Sequence, residues 1–252
     1  MLFKASMPAE SQHHDRNRRK LYGRRKGPKL SARQAGLRQT LLGELGFRPG
    51  GDPLAQFPNS VREVWLEVGF GAGEHLVWQA GAHPDVGLIG AEPYEMGMAK
   101  ILTKLEESPL NTVRLFEGDG RDIIEALPDR SLGRFFLLFP DPWPKTRHHK
   151  RRFLQMEMLD ELARVMRPGA ELRFATDDKS YLPYALERLM AHSAFEWTAK
   201  SPRDWKVRPE GWPATRYEAK AIKGPPSYLA LLRRMPGPAQ SGLGTSDRTA
   251  NS

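Results

Sequence analysis

Residues 64–74 read Val64-Trp65-Leu66-Glu67-Val68-Gly69-Phe70-Gly71-Ala72-Gly73-Glu74, and this stretch decides the fold. The mostly apolar run at 64–68 has the length and composition of a buried strand. Glycines at 69, 71 and 73 let the backbone turn sharply and come close to a ligand. A helical pattern, Glu74 to Ala82, follows at once. Strand, glycine turn and helix in that order open a doubly wound α/β sheet, whose ligands lie at the carboxyl ends of the strands.

Outward from this unit the alternation continues. Strands are expected at Val86–Ala91, Val113–Phe116, Arg134–Phe139, Glu171–Ala175, Phe195–Thr198 and Ser227–Arg233. Helices are expected at Met96–Glu107, Arg121–Leu127, Phe153–Met166 (stopped by Pro168-Gly169) and Tyr181–His192. Strands that alternate with helices make a mainly parallel sheet. The link between the last two strands has no helical pattern, so a terminal hairpin with one antiparallel strand is expected. The fold class is therefore α/β, a doubly wound, mainly parallel seven-stranded sheet.

Charge divides the chain differently. Of 252 residues with a net charge of +9, residues 1–40 hold eleven Lys/Arg against two acids, and the remainder carries 28 of each. Residues 1–40, with few apolar anchors (Leu21, Tyr22, Leu30), are expected to be a flexible basic segment that contacts a polyanion. Residues 41–235 are expected to form the domain, and 236–252, rich in Gly, Pro, Ser and Thr, a disordered tail. The absence of cysteine excludes disulfides, Cys-based zinc sites, iron–sulfur clusters and thiol catalysis. No metal is expected. No run of about 18 apolar residues occurs and the N-terminus lacks the apolar core of a secretory signal, so no membrane association and a cytoplasmic location are expected.

The residues after each strand carry the chemistry. A dinucleotide turn needs glycine at position 74, where Glu74 stands. An acid there would repel a pyrophosphate. The form Glu67-x-Gly69-x-Gly71-x-Gly73 suits S-adenosylmethionine, which has a sulfonium, an ammonium and no phosphate. Glu92 follows the second strand, 25 residues after Glu67, the place of an acid that accepts from ribose hydroxyls. Asp119 follows the third and can reach an adenine amino group or cap the helix behind it. After the fourth come Pro140-Asp141-Pro142-Trp143-Pro144, three prolines in five residues, a stiff loop presenting an acid and an aromatic. Lys145 to Arg152 then places five fixed positive charges in eight residues, leading into a helix. Cations at a helix N-terminus oppose its dipole, so phosphate binding explains them better than local structure does. Asp177 follows the fifth strand. Thr215-Arg216-Tyr217-Glu218 occupies the long loop before the last one, with the donors, acceptors and aromatic of a base-reading loop.

Taken together, Glu67 to Gly73, Gly90-Ala91-Glu92, Gly118-Asp119, Phe139 to Arg152, Asp177 and Thr215 to Glu218 resemble the bacterial tRNA (guanine-N7-)-methyltransferases, as does Tyr22 to Gly27 in the basic segment. The resemblance covers roughly residues 20–234. It implies a class I methyltransferase fold and transfer of a methyl group from S-adenosylmethionine to N7 of guanosine 46 in the tRNA variable loop. It implies that Glu67, Gly69, Gly71, Gly73, Glu92, Asp119 and Asp141 bind the cofactor, with Asp141 catalytic. Lys145, Asp177, Thr215, Arg216, Tyr217 and Glu218 would contact the substrate. Arg147, His148, His149, Lys150, Arg151 and Arg152, with Arg24, Arg25 and Lys26, would contact RNA. The expected partner is tRNA, and the protein itself a monomer or homodimer. A class I methyltransferase acting on another RNA, a protein or a small molecule, and a non-catalytic RNA-binding module, remain the alternatives.

Overall fold

The computed structural model describes residues 21–23, 25–214 and 224–235. Seven strands form one sheet: β1 (Glu63–Val68), β2 (Val86–Ala91), β3 (Val113–Phe116), β4 (Leu132–Leu138), β5 (Met166–Thr176), β6 (Phe195–Trp197) and β7 (Ser227–Arg233). Their order is β3-β2-β1-β4-β5-β7-β6. All pairs are parallel except those of β7, which runs antiparallel to both β5 and β6. The order reverses between β1 and β4, and a crevice opens there at the carboxyl ends of the strands.

Eight helices accompany the sheet among the described residues: α1 (Ala32–Gln39), α2 (Leu41–Leu45), α3 (Glu74–Ala82), α4 (Glu95–Glu107), α5 (Gly120–Ala126), α6 (Met156–Val165), α7 (Tyr181–Ala191) and α8 (Arg203–Lys206). Two apolar layers result. On one face Ile123, Leu159, Leu162 and Leu189 of α5, α6 and α7 bury against Leu66, Phe135, Leu137 and Phe174. On the other Leu37, Leu76, Met98 and Leu102 of α1, α3 and α4 bury against Trp65, Leu88 and Phe136. None of the described helices is long and apolar enough to cross a membrane.

Three expectations need correction. Residues 32–39, placed in a flexible segment, form a helix with a Ser31–Gln34 capping box. Its sole buried residue is Leu37, and it docks through ion pairs: Arg38 to Glu95 and Glu117, Arg33 to Glu106 and Glu107. Apolar periodicity does not reveal such a helix, because charge holds it. The helix expected to run to Met166 stops at Val165, and β5 already begins at Met166. Met166 pairs with Leu132, then Glu171 pairs with Arg134, so Pro168-Gly169 lies in a bulge of β5 rather than after a helix. The described part of the link between β6 and β7 does hold a helix, the single turn α8, too short to leave a periodic pattern.

Candidate active site

At the switch point a cavity of about 500 Å³ is lined by the ends of β1, β2 and β4, the turn after β3 and Leu21, Tyr22, Gly23 and Arg25 of the N-terminal segment. Gly69 and Gly71 form its floor, with φ of 75° and 62°, a region that side chains rarely enter. A Cβ on Gly69 would point into open space, so the glycine leaves a cradle where a ligand can touch the backbone. Gly97 of α4 packs on the outside of this turn, and a Cβ there would collide with the Gly71 carbonyl oxygen and the Glu92 side chain.

Three of the expected acids line the cavity: Glu92, Asp119 and Asp141. Glu92 is buried, its Oε2 accepting from the Gly71 N–H at 2.8 Å and its Oε1 from the Tyr94 N–H at 2.9 Å. Burial raises its pKa against these two donors, and the charges of Asp141 and Glu67 add to the rise. Asp119 caps α5 through the Arg121 N–H and takes both oxygens to the Arg121 guanidinium, so helix capping and cavity lining coexist in one residue. Asp141 faces the N-terminal segment: a Cβ on Gly23 would stand 3.1 Å from its Oδ2.

Glu67 does not line the cavity. Its side chain is buried beneath the turn, with Oε2 2.8 Å from Nδ1 of His75. Gly73 also sits outside the cavity, taking the left-handed conformation before α3 against Ile101. Expectation and structure differ here because a sequence motif gives positions along a turn, not the direction of each side chain.

The reaction loop is held by strain and clamps. Phe139 and Trp143 both have positive φ, 51° and 45°, at non-glycine residues. Such conformations cost of order 1–2 kcal/mol each and persist only under tertiary restraint. Arg152 supplies that restraint. It is 1% exposed, donates from Nε to the Pro142 carbonyl at 2.7 Å and from Nη2 to Ser180 Oγ at 3.0 Å, and lies over the Tyr181 and Tyr184 rings. Its expected role as an RNA contact is therefore corrected: it is a buried structural cation. Residues Thr146–Arg151 form a separate 3-10 turn, and α6 starts five residues later with Glu157 in its first turn, so the run opposes no helix dipole.

Lys145 before that turn and Arg147 and Lys150 within it are exposed. Arg151 lines the cavity and stacks on Tyr22 at 4.3 Å and Trp143 at 5.0 Å. His148 approaches Trp143 at 6.0 Å, and desolvation and the neighbouring cations, Arg151 foremost, hold its pKa below the ordinary value. His149 packs on Tyr184. Asp177 lies half-buried at the end of β5, apart from the cavity lining. Arg24 and Thr215 to Glu218 fall outside the described residues.

Sequence reasoning missed the N-terminal segment as part of the cavity wall. Tyr22, Gly23 and Arg25 line the cavity, the Arg25 carbonyl accepts from the Glu95 N–H at 3.0 Å, and Lys26 stays exposed beside it. An aromatic inside a basic run was its one visible signal. Gly97 was also passed over, although a glycine inside a helical pattern marks a close approach.

Comparison with known proteins gives a consistent set of likenesses. The family model described as "Putative methyltransferase" matches residues 61–227. The chain is 47% identical over 232 residues to the tRNA (guanine-N(7)-)-methyltransferase of Rhodospirillum rubrum, covering 88% of this chain and 91% of that protein. It is also 47% identical over 232 residues to the enzyme of that name from Paramagnetospirillum magneticum, covering 90% and 97%. Among solved structures, the 16S rRNA methyltransferase KamB superposes with a TM-score of 0.54 at 19% identity, over 75% of this chain and 96% of that one, a likeness of fold.

Proposed function

The chain belongs to the tRNA (guanine-N7-)-methyltransferase family, and from that premise we propose that it transfers the methyl group of S-adenosylmethionine to N7 of a tRNA guanosine, the variable-loop residue conventionally numbered 46. The observation that carries this reading is the juxtaposition of a glycine-floored, carboxylate-lined cavity with an exposed basic turn at the switch point of the sheet.

The cavity fits S-adenosylmethionine. The open cradle at Gly69 admits a ligand against the backbone, and Glu92 and Asp119, on adjacent strand ends, offer acceptors for hydroxyl and amino groups. When bound, that cofactor supplies a methyl carbon made electrophilic by a sulfonium. Everything else falls to the chain. Guanine N7 has its own lone pair, so no general base is needed, and the chain's work is positioning. Positive charge grows on the purine during transfer, and a fixed carboxylate beside it lowers the barrier. Asp141, at the cavity edge on the proline-stiffened loop, takes that role. Lys145, Asp177 and Thr215 to Glu218 contact the substrate nucleoside, while Arg147, His148, His149, Lys150 and Arg151, with Arg24 to Lys26, bind the tRNA backbone. A location in the cytoplasm, where tRNA is modified, follows from this activity.

Incubation of the full chain with bulk tRNA and labelled S-adenosylmethionine, followed by mapping of cleavage at 7-methylguanosine, tests the proposal. Label confined to one variable-loop guanosine is expected. Transfer to a different base atom, or to no tRNA at all, overturns it.

A further inference from the structure

Behind the glycine turn lies a buried polar chain that the proposed mechanism does not use. Glu67 ends β1, His75 opens α3 and Gln79 lies one turn further along; all three are 2% exposed or less. His75 Nδ1 is 2.8 Å from Glu67 Oε2, and its Nε2 is 2.9 Å from Gln79 Nε2. With the Gln79 amide nitrogen turned to it, Nε2 of His75 accepts and its Nδ1–H donates to Glu67. The ring's donor is then aimed at the carboxylate. A carboxylate this deeply buried needs such a donor, because an unpaired buried charge is costly.

His75 is held from its other side as well. Its ring meets Trp212 at 4.5 Å and Phe136 of β4 at 4.8 Å. Trp212 closes a turn in which its N–H donates to the Pro209 carbonyl, with Gly211 at φ 77°, where a Cβ would stand 3.4 Å from the Trp78 ring of α3. One imidazole therefore joins the strand before the glycine turn, the helix after it and the loop that packs over both. Glu67 and His75 bracket Gly69 to Gly73 on each side.

We propose that His75 is a positioning residue for the cofactor site: by its hydrogen bond to Glu67 it fixes the two ends of the Gly69–Gly73 turn relative to each other and so sets the shape of the cradle. His75 is absent from the cavity lining, so it acts through Glu67 and the turn. The inference rests on the S-adenosylmethionine reading of the cavity.

The test compares His75→Leu, His75→Asn and Glu67→Gln with the parent full-length chain. The readouts are calorimetric titration with S-adenosylmethionine, and kcat and KM for each substrate with tRNA. Leu fills the space and removes the donor. The side-chain amide of Asn can stand in for Nδ1–H. Gln keeps an acceptor at position 67 without the charge. In His75→Leu, the Kd and KM for the cofactor should rise tenfold or more while kcat and the KM for tRNA stay within about threefold. His75→Asn should recover cofactor affinity to within about threefold of the parent. Glu67→Gln, which keeps the acceptor for Nδ1–H, should lose less cofactor affinity than His75→Leu. A His75→Leu variant with a lowered melting temperature but unchanged cofactor Kd would make the residue merely structural and overturn the proposal. Equal losses in Leu and Asn variants, or a loss in Glu67→Gln as large as that in His75→Leu, would overturn it too, the latter by placing the charge itself on the ligand. If His75→Leu fails to fold, His75→Ala takes its place with the same expected rise in cofactor Kd. A parent chain that binds no S-adenosylmethionine would instead fail the reading of the cavity, a result distinguishable from all of these.

Discussion

The two halves of the cavity achieve rigidity by opposite means. The cofactor half, Gly69 to Gly73, takes up left-handed backbone with residues that adopt it without strain, and its polar groups are buried behind it. The reaction half, Phe139 to Arg152, imposes left-handed backbone on Phe139 and Trp143 and holds it with a buried arginine, proline rings and stacked aromatics. In the first half glycines take the shape without strain and Glu92 and the Glu67–His75 pair steady it; in the second the strained shape depends on contacts with α7, through Ser180, Tyr181 and Tyr184. A loop held from a distance can be shifted by what binds it, which suits the side proposed to receive RNA. A turn whose glycines adopt its shape without strain suits the side proposed to bind the cofactor, whether or not RNA is present.

Substitutions that separate the halves test this contrast. The largest effect is expected at Asp141. Asp141→Asn should lower methyl transfer to tRNA a hundredfold or more, about 3 kcal/mol of transition-state stabilisation. Cofactor affinity by calorimetry should change by less than about threefold. Normal turnover would remove the carboxylate from the catalytic role. Next comes the clamp. Arg152→Met keeps the length and removes the donors, so the carbonyls of Pro142 and Ser180 lose the arginine while the Ser180 hydroxyl keeps its bond to Asp178; denaturant unfolding should show a loss of about 2–4 kcal/mol. The exposed neighbours should behave differently: Arg147→Ala and Lys150→Ala should leave stability within about 0.5 kcal/mol and each lower the salt slope of tRNA binding by roughly 0.7–0.9. If Arg152→Met altered only the salt slope, the loop would not depend on its buried clamp and the contrast would fail. On the cofactor side, Gly97→Ala gains helix propensity of about 1 kcal/mol. It also drives a methyl group into the Gly71 carbonyl, and the cofactor Kd should rise about tenfold while tRNA binding is unchanged.

How much of this was legible in the sequence follows from the same contrast. The strand–turn–helix unit at 64–82 and the strand at 86–91 could be read directly, because apolar runs and glycines dictate local backbone. Glu92, Asp119 and Asp141 were found at the cavity because each directly follows a strand, and topology puts all strand ends at one edge. Glu67 lies outside the cavity lining because a side chain beside a turn can face either way, and here it pairs with His75. Arg152 was misread for a related reason: in sequence it is one of five similar cations, and its burial comes from Tyr181 and Tyr184, about thirty residues away. The helix at 32–39 was invisible because its contacts are ion pairs with residues 95–117 rather than an apolar stripe.

The smallest expected effect probes the cofactor half most finely. Burial raises the Glu92 pKa above the ordinary carboxylate value. Between the ordinary value and the raised one the native state binds more protons than the unfolded chain. The contribution of Glu92 to stability therefore falls as pH rises through that window. Cofactor binding should have the opposite sign. The ionised carboxylate accepts from Gly71 and Tyr94 at once, whereas a protonated one presents a hydroxyl to one of those donors and loosens the turn. As pH falls through the window, cofactor affinity should drop while the contribution of Glu92 to the melting temperature of the ligand-free chain rises. In Glu92→Gln both dependences should flatten, with affinity fixed at the low level because its amide opposes a backbone N–H. Cofactor affinity and ligand-free stability that moved together with pH in the parent chain would show that the turn does not rely on a charged Glu92. The claim that this half is shaped locally would then rest on its glycines alone.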